Sequence, residues 1–120
     1  MYPAEEGVVV HTKALIVTDG PLSRPVPVAV CHERPEGAEP ATVRLCFPGG
    51  TEWSFPRTLL ESGLRAPARA GDIGIWPCGR VQTIVEFHAP EGVAVVQFDS
   101  SALLRFLRRT YAATTSPVTH

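Results

Sequence analysis

From Val8 to Val17 the even positions Val8, Val10, Ala14 and Ile16 are apolar, while His11 and Lys13 take the other parity. A period of two residues is that of a strand with one face in a core. Residues 18–24 contain Asp19-Gly20-Pro21, a turn signal, and residues 25–33 then alternate with Val26, Val28 and Val30 on one face. Pro25 and Pro27 have no N–H to give to a ladder, which places this second strand at a sheet edge, at least at its start. A polar loop over 34–40 leads to Val43, Leu45 and Phe47 alternating with Thr42, Arg44 and Cys46. Pro48-Gly49-Gly50 closes a hairpin into residues 51–55, where Trp53 and Phe55 share a face.

The period then changes. Pro56 suits a first helical position, residues 57–62 form a short helix, and Gly63 ends it. A loop over 65–70 precedes a strand at 71–77, and Pro77-Cys78-Gly79 turns the chain into a strand at 80–88 with Val81, Val85 and Phe87 on one side. After the turn Ala89-Pro90-Glu91-Gly92, residues 93–98 are apolar on both faces, the pattern of a central strand. Asp99 or Ser100 caps a final helix over 101–112. Leu103, Phe106, Leu107 and Tyr111 form its apolar stripe, and Arg105, Arg108 and Arg109 lie opposite. The expected fold is therefore α+β: about seven strands in mainly antiparallel sheets, joined by short turns, with a short helix and a C-terminal helix. Residues 1–113 read as a single domain and 114–120 as a frayed tail.

Charge narrows the range of partners. The 120 residues carry 11 basic and 12 acidic side chains, a formal charge of −1, which provides no global field for nucleic acid or an acidic membrane. Only Lys13 among the basic residues is a lysine; the rest are arginines, which fits a GC-rich genome. The N-terminus lacks a basic and apolar leader, and no apolar run approaches the ~18 residues of a membrane span, so a cytoplasmic protein is expected. Cys31, Cys46 and Cys78 are odd in number with no CxxC spacing, which suggests reduced thiols used as small apolar residues.

Candidate chemistry is sparse. His11, His32, His88 and the cysteines are the obvious metal-ligand types, yet Cys31 and His32 are adjacent and point to opposite faces of a strand; a neighbouring strand would have to bring Cys46 to Cys31. No Gly-x-Ser-x-Gly elbow is present, and Ser100 and Ser101 are better explained as helix caps. No catalytic, cofactor or metal residue is therefore assigned. Trp53 and Phe55 read as core, whereas Trp76 shares the less apolar strand face with Asp72 and Gly74 and suits exposure or a subunit interface. Arg105, Arg108 and Arg109, spaced i, i+3, i+4, form the clearest candidate surface. They read either as a solvated face whose cations suit the helix C-terminus or as a contact for an acidic segment or phosphate backbone.

Two longer patterns narrow the reading further. Trp53-Ser54-Phe55-Pro56-Arg57-Thr58-Leu59-Leu60-Glu61-Ser62-Gly63-Leu64, then Pro67, Gly71-Asp72-Ile73 and Ile75-Trp76-Pro77, resembles the SsgA-like sporulation and cell-division family. Pro90-Glu91-Gly92 and the run Leu-Leu-Arg-Phe-Leu-Arg-Arg-Thr from Leu103 to Thr110 match the same family in order. The resemblance implies an actinobacterial protein at the division septum that helps choose septum sites and recruit FtsZ. It also implies a Whirly-like fold assembled as a trimer, with itself, FtsZ or another SsgA-like protein as partners. A non-catalytic adaptor binding through Arg105, Arg108, Arg109 and Trp76 is the leading expectation. The alternative is a single-stranded nucleic-acid-binding protein, against which the net charge counts, and a third possibility is a barrel with a buried polar cavity for a small ligand.

Overall fold

A computed structural model of the chain describes residues 7–17, 24–33 and 41–114. Among the described residues there are eight strands: β1 (Val8–Val17), β2 (Arg24–Glu33), β3 (Thr42–Cys46), β4 (Glu52–Pro56), β5 (Ala68–Ala70), β6 (Ile73–Cys78), β7 (Gln82–Ala89) and β8 (Gly92–Asp99). Helix α1 (Arg57–Gly63) links β4 to β5, and α2 (Ser100–Thr114) follows β8. The strands form one sheet in the order β4-β3-β2-β1-β8-β7-β6-β5, and every neighbouring pair is antiparallel. Two four-stranded meanders therefore meet at β1 and β8. Among the described residues β1 pairs with β2 from Val8↔His32 to Ile16↔Arg24, and its end pairs with β8 at Leu15↔Gln97, Ile16↔Val96 and Val17↔Val95.

Alternation along each strand puts Val10, Val28, Val30, Leu45, Trp53, Phe55, Ile75, Val85 and Phe98 on one face, where they join one buried cluster. The sheet curls around that face. The Trp53 ring on β4 stacks on Phe87 of β7 with centroids 5.1 Å apart, and Phe47 tilts against Trp53 at 4.7 Å. Helix α1 packs against β4, β5 and β6 and so spans the gap between the two edges of the sheet. Helix α2 lays Leu103, Phe106 and Leu107 into the same cluster and packs mainly on β1 and β8. Each such side chain, fully buried, contributes roughly 1.5–3 kcal/mol.

The hairpin at Pro48-Gly49-Gly50 forms as expected. It is a 3-10 turn, with Gly49 and Gly50 at φ 89° and 91°, a region in which a side chain would be strained. β8 is central, between β1 and β7. Several expectations need correction. There are eight strands rather than seven, because residues 68–70 pair with β6 from Ala68↔Ile75 to Ala70↔Ile73; three residues are too few to show an alternation. β6 starts at Ile73 and continues through Cys78, which pairs with Gln82, so Cys78 is not in the turn. Val81 lies in that turn and is exposed rather than sharing a core face with Val85. β2 is inside the sheet order, yet among the described residues its proline half pairs with β1 alone, since β3 pairs with β2 from Ala29 onward. The edge reading holds for the start of the strand alone.

Pro56 closes β4 opposite Thr42 and caps α1 with extended backbone instead of forming its first turn. Gly63 is the last residue inside α1 and Leu64 is its C-cap. The final helix is longer than expected, and the Ser100 hydroxyl, instead of capping it, meets the Thr83 hydroxyl at 2.7 Å. Thr114 belongs to this helix rather than to a tail. The expected turn at Asp19-Gly20-Pro21, the loop over 34–40 and the remainder of the tail lie outside the described residues.

Candidate partner-binding surface

Helix α2 presents a cationic face to solvent because its apolar positions are consumed by the core. Ala102, Leu103, Phe106, Leu107 and Thr110 are buried, and Leu104, Arg105, Arg108, Arg109 and Tyr111 are exposed. No aspartate or glutamate occurs between Ser100 and Thr114. Arg105 and Arg108 make no hydrogen bond or ion pair with the described residues. Arg109 differs: its Nη1 donates to the Val9 carbonyl at 3.4 Å and so ties the helix to β1. Because α2 runs to Thr114, the arginines precede its last turn, which holds no basic residue. The helix dipole acts chiefly within the terminal turn and does not account for them.

A fourth guanidinium reaches this face from α1. Arg57 Nη1 donates to Thr110 Oγ1 at 3.3 Å, its Nε stands 3.8 Å from Glu61 Oε2, and its Cζ lies 4.1 Å from the centroid of the Tyr111 ring. The Thr110 hydroxyl in turn donates to the Leu107 carbonyl at 2.8 Å. Tyr111 was expected in the apolar stripe; it sits instead at the rim, 38% exposed beneath the arginine. Leu104 and Arg57 were not anticipated as part of this surface. Leu104 was legible as an apolar residue one and four positions before Arg105 and Arg108, whereas the approach of Arg57 depends on tertiary packing.

Trp76 is elsewhere. It pairs with Ile84 on β7 and points away from the main cluster, which takes Ile73 and Ile75 from the same strand. Its ring is half-buried on the convex face. Gly74 makes room there: a Cβ on it would lie 3.0 Å from Arg69 Nη2 and 3.5 Å from Trp76 Cζ3. Beside them Glu86 Oε1 accepts hydrogen bonds from His88 Nε2 at 2.8 Å and Arg69 Nη2 at 3.1 Å. The His88 hydrogen bond is the larger cause that holds the Glu86 carboxyl below the usual carboxylate value; Arg69 adds to it and desolvation opposes it. Exposed Val17 and Val93 occupy the same convex side. The four expected binding residues therefore do not form one site: Trp76 is separated from the arginine face by the sheet.

The residues considered for catalysis and metal binding are dispersed. His32 is buried, with its Nδ1 donating to the Thr42 carbonyl at 3.1 Å; His88 is paired with Glu86, and His11 is exposed. Cys31 and Cys46 are diagonal neighbours on β2 and β3 without a disulfide. Among the described residues no three His, Cys, Asp or Glu side chains converge, and no helix is long and apolar enough to cross a membrane.

Comparison with known proteins agrees with this architecture. Residues 27–117 match the family described as the Streptomyces sporulation and cell division protein SsgA. The chain belongs to the SsgA family. The sporulation-specific cell division protein SsgB of Frankia casuarinae is 40% identical over 101 residues, covering 78% of this chain and 69% of that protein. A solved structure from a study in which mutations in SsgB correlate to longitudinal cell division during sporulation of Streptomyces coelicolor superposes with a TM-score of 0.80 at 33% identity, covering 91% of this chain and 87% of that one. The SsgA-like sporulation-specific cell division protein of Thermobifida fusca shares the fold, with a TM-score of 0.70 at 24% identity over 92% of this chain and 84% of that one. SsgA-family membership connects the chain with sporulation and cell division, and the mainly antiparallel sheet with two helices is the family's architecture.

Proposed function

We propose that this protein is a non-catalytic adaptor of sporulation-specific cell division, acting at the septum to help place it and to recruit FtsZ. The observation that carries the reading is the SsgA-family match across residues 27–117, which takes in most of the sheet and α2. Its relatives are sporulation-specific cell division proteins, and an adaptor needs surfaces rather than a reactive cleft. The protein works as a homo-oligomer, a trimer with a Whirly-like subunit, in which the apolar convex positions around Trp76, Val17 and Val93 suit contact between subunits. Light scattering on the purified protein, followed by co-sedimentation with polymerised FtsZ, tests both parts. A discrete oligomer that pellets with the polymer is the expected result; a monomer left in the supernatant overturns the proposal.

A further inference from the structure

The exposed arc of α2 has an order that its sequence spacing alone does not reveal. At 100° per residue, Tyr111 and Leu104 flank one side of Arg108 and Arg105 the other, with Arg109 at the far rim, where it is bonded to the Val9 carbonyl. Leu104 and Tyr111 are 41% and 38% exposed, and the Arg57 guanidinium covers the Tyr111 ring. Side by side on two turns of one helix, about 10 Å long, stand an apolar strip and a cationic strip with no ion pair among the described residues. We infer that Leu104 and Tyr111, with Arg105, Arg108 and Arg57, form a docking surface for an acidic peptide segment that carries apolar side chains, such as a short amphipathic helix. This inference rests on the adaptor reading and names the chemistry of the partner.

Charge complementarity selects this occupant. Arg105 and Arg108 have no acidic neighbour on their own helix, and guanidinium forks match carboxylates in geometry. Arginine and large apolar side chains together are the residues that dominate interface energetics when desolvated. A phosphate backbone would use the arginines and leave Leu104 without a role. Arg109 is left out of the docking set because it stands at the far rim of the arc from Leu104 and Tyr111, tied to β1, and Trp76 because it lies beyond the sheet.

The test uses the full chain and a fluorescein-labelled peptide of glutamates with leucines at every third or fourth position. Controls are the same peptide with the leucines replaced by glutamine, a labelled oligo-dT and anionic phosphatidylserine vesicles. The leucine-bearing peptide is expected to bind in a salt-dependent manner. Leu104→Ala should weaken it about fivefold or more, and the pair Arg105→Glu with Arg108→Glu by more than about tenfold. Arg69→Gln, which removes one charge from the convex face, should leave the affinity within about twofold. Equal binding of the leucine-free peptide, or preference for oligo-dT or vesicles, overturns the inference, as does full affinity in the Arg105/Arg108 variant. Co-sedimentation separates this from the adaptor reading: wild type and the Arg105/Arg108 variant pelleting equally with FtsZ refutes the surface and keeps the adaptor, whereas failure of the wild type refutes the adaptor.

Discussion

Gly63 in α1 and Ile75 in β6 are packed so closely that a Cβ on the glycine would lie 2.4 Å from the Ile75 Cβ. The contact joins the helix that spans the sheet's gap to the strand beneath it, and a strand interior cannot move aside as a flexible chain end can. In a solvated helix, replacing glycine with alanine gains about 1 kcal/mol of propensity. Overpacking a tight contact costs about 1–3 kcal/mol. Gly63→Ala is therefore expected to be net destabilising, lowering the urea midpoint, while the exposed neighbour change Ser62→Ala is neutral or slightly stabilising. A Gly63→Ala midpoint at or above wild type would contradict the packing account.

Glu86 gives an acid-dependent contribution to stability. Its carboxyl is held below the ordinary value of 4.5 in the folded protein, first by the His88 hydrogen bond and then with help from Arg69. A carboxylate with a depressed folded pKa stabilises the fold at pH above its unfolded value, and the contribution disappears as pH falls through the folded value. Below about pH 4.5 the wild type should thus lose stability more steeply than Glu86→Gln. Denaturant titrations of both proteins across pH 3 to 7 measure the two slopes, and parallel curves would deny Glu86 this part. Because Arg69 is half-exposed, high salt should shrink the difference.

The two tryptophans should behave differently. Trp53 is 7% exposed between Phe47 and Phe87, so Trp53→Ala removes about 3–5 kcal/mol, a large share of the roughly 5–15 kcal/mol that holds a domain together. The half-buried Trp76 should cost roughly 1–2 kcal/mol as Trp76→Ala. In the separated subunit, reached by dilution, acrylamide should quench Trp76 before Trp53, read by comparing Trp53→Phe and Trp76→Phe. Equal quenching in the two single-tryptophan proteins would place Trp53 outside the core.

Thiol titration probes the three cysteines separately. Cys78 is exposed at the end of β6, Cys46 is intermediate and Cys31 is buried. A disulfide reagent should modify Cys78 in a fast phase and Cys31 only on unfolding, since access governs reaction alongside thiolate character. Cys78→Ser should abolish the fast phase; its persistence would mean that β2 and β3 open readily.

Much of the fold was readable because one-sided strands repeat every two residues: Val26, Val28 and Val30 could face the core only together. Residues 68–70 were not, since a strand this short at an edge carries no period. Gly63 was legible as the end of α1, where the helix does stop; that it is also a point of contact arises only when α1 meets β6. On α2 the arginines were visible from their spacing, but the commitment of Arg109 to Val9 and the arrival of Arg57 over Tyr111 join residues far apart along the chain. The separation of Trp76 from the arginine face likewise follows from the curl of the sheet, not from local pattern.

The seam between β1 and β8 also shapes how the chain reaches its final form. Each meander is stitched from neighbours in sequence and loses little loop entropy as it grows, whereas the seam closes a loop over most of the molecule. Pairing at Leu15, Ile16 and Val17 is thus expected to come late in folding, as φ-values at Ile16 would read, and α2, which follows β8 and packs against β1, is the clasp that holds it. Damage to that clasp would first be felt as faster opening between two intact halves.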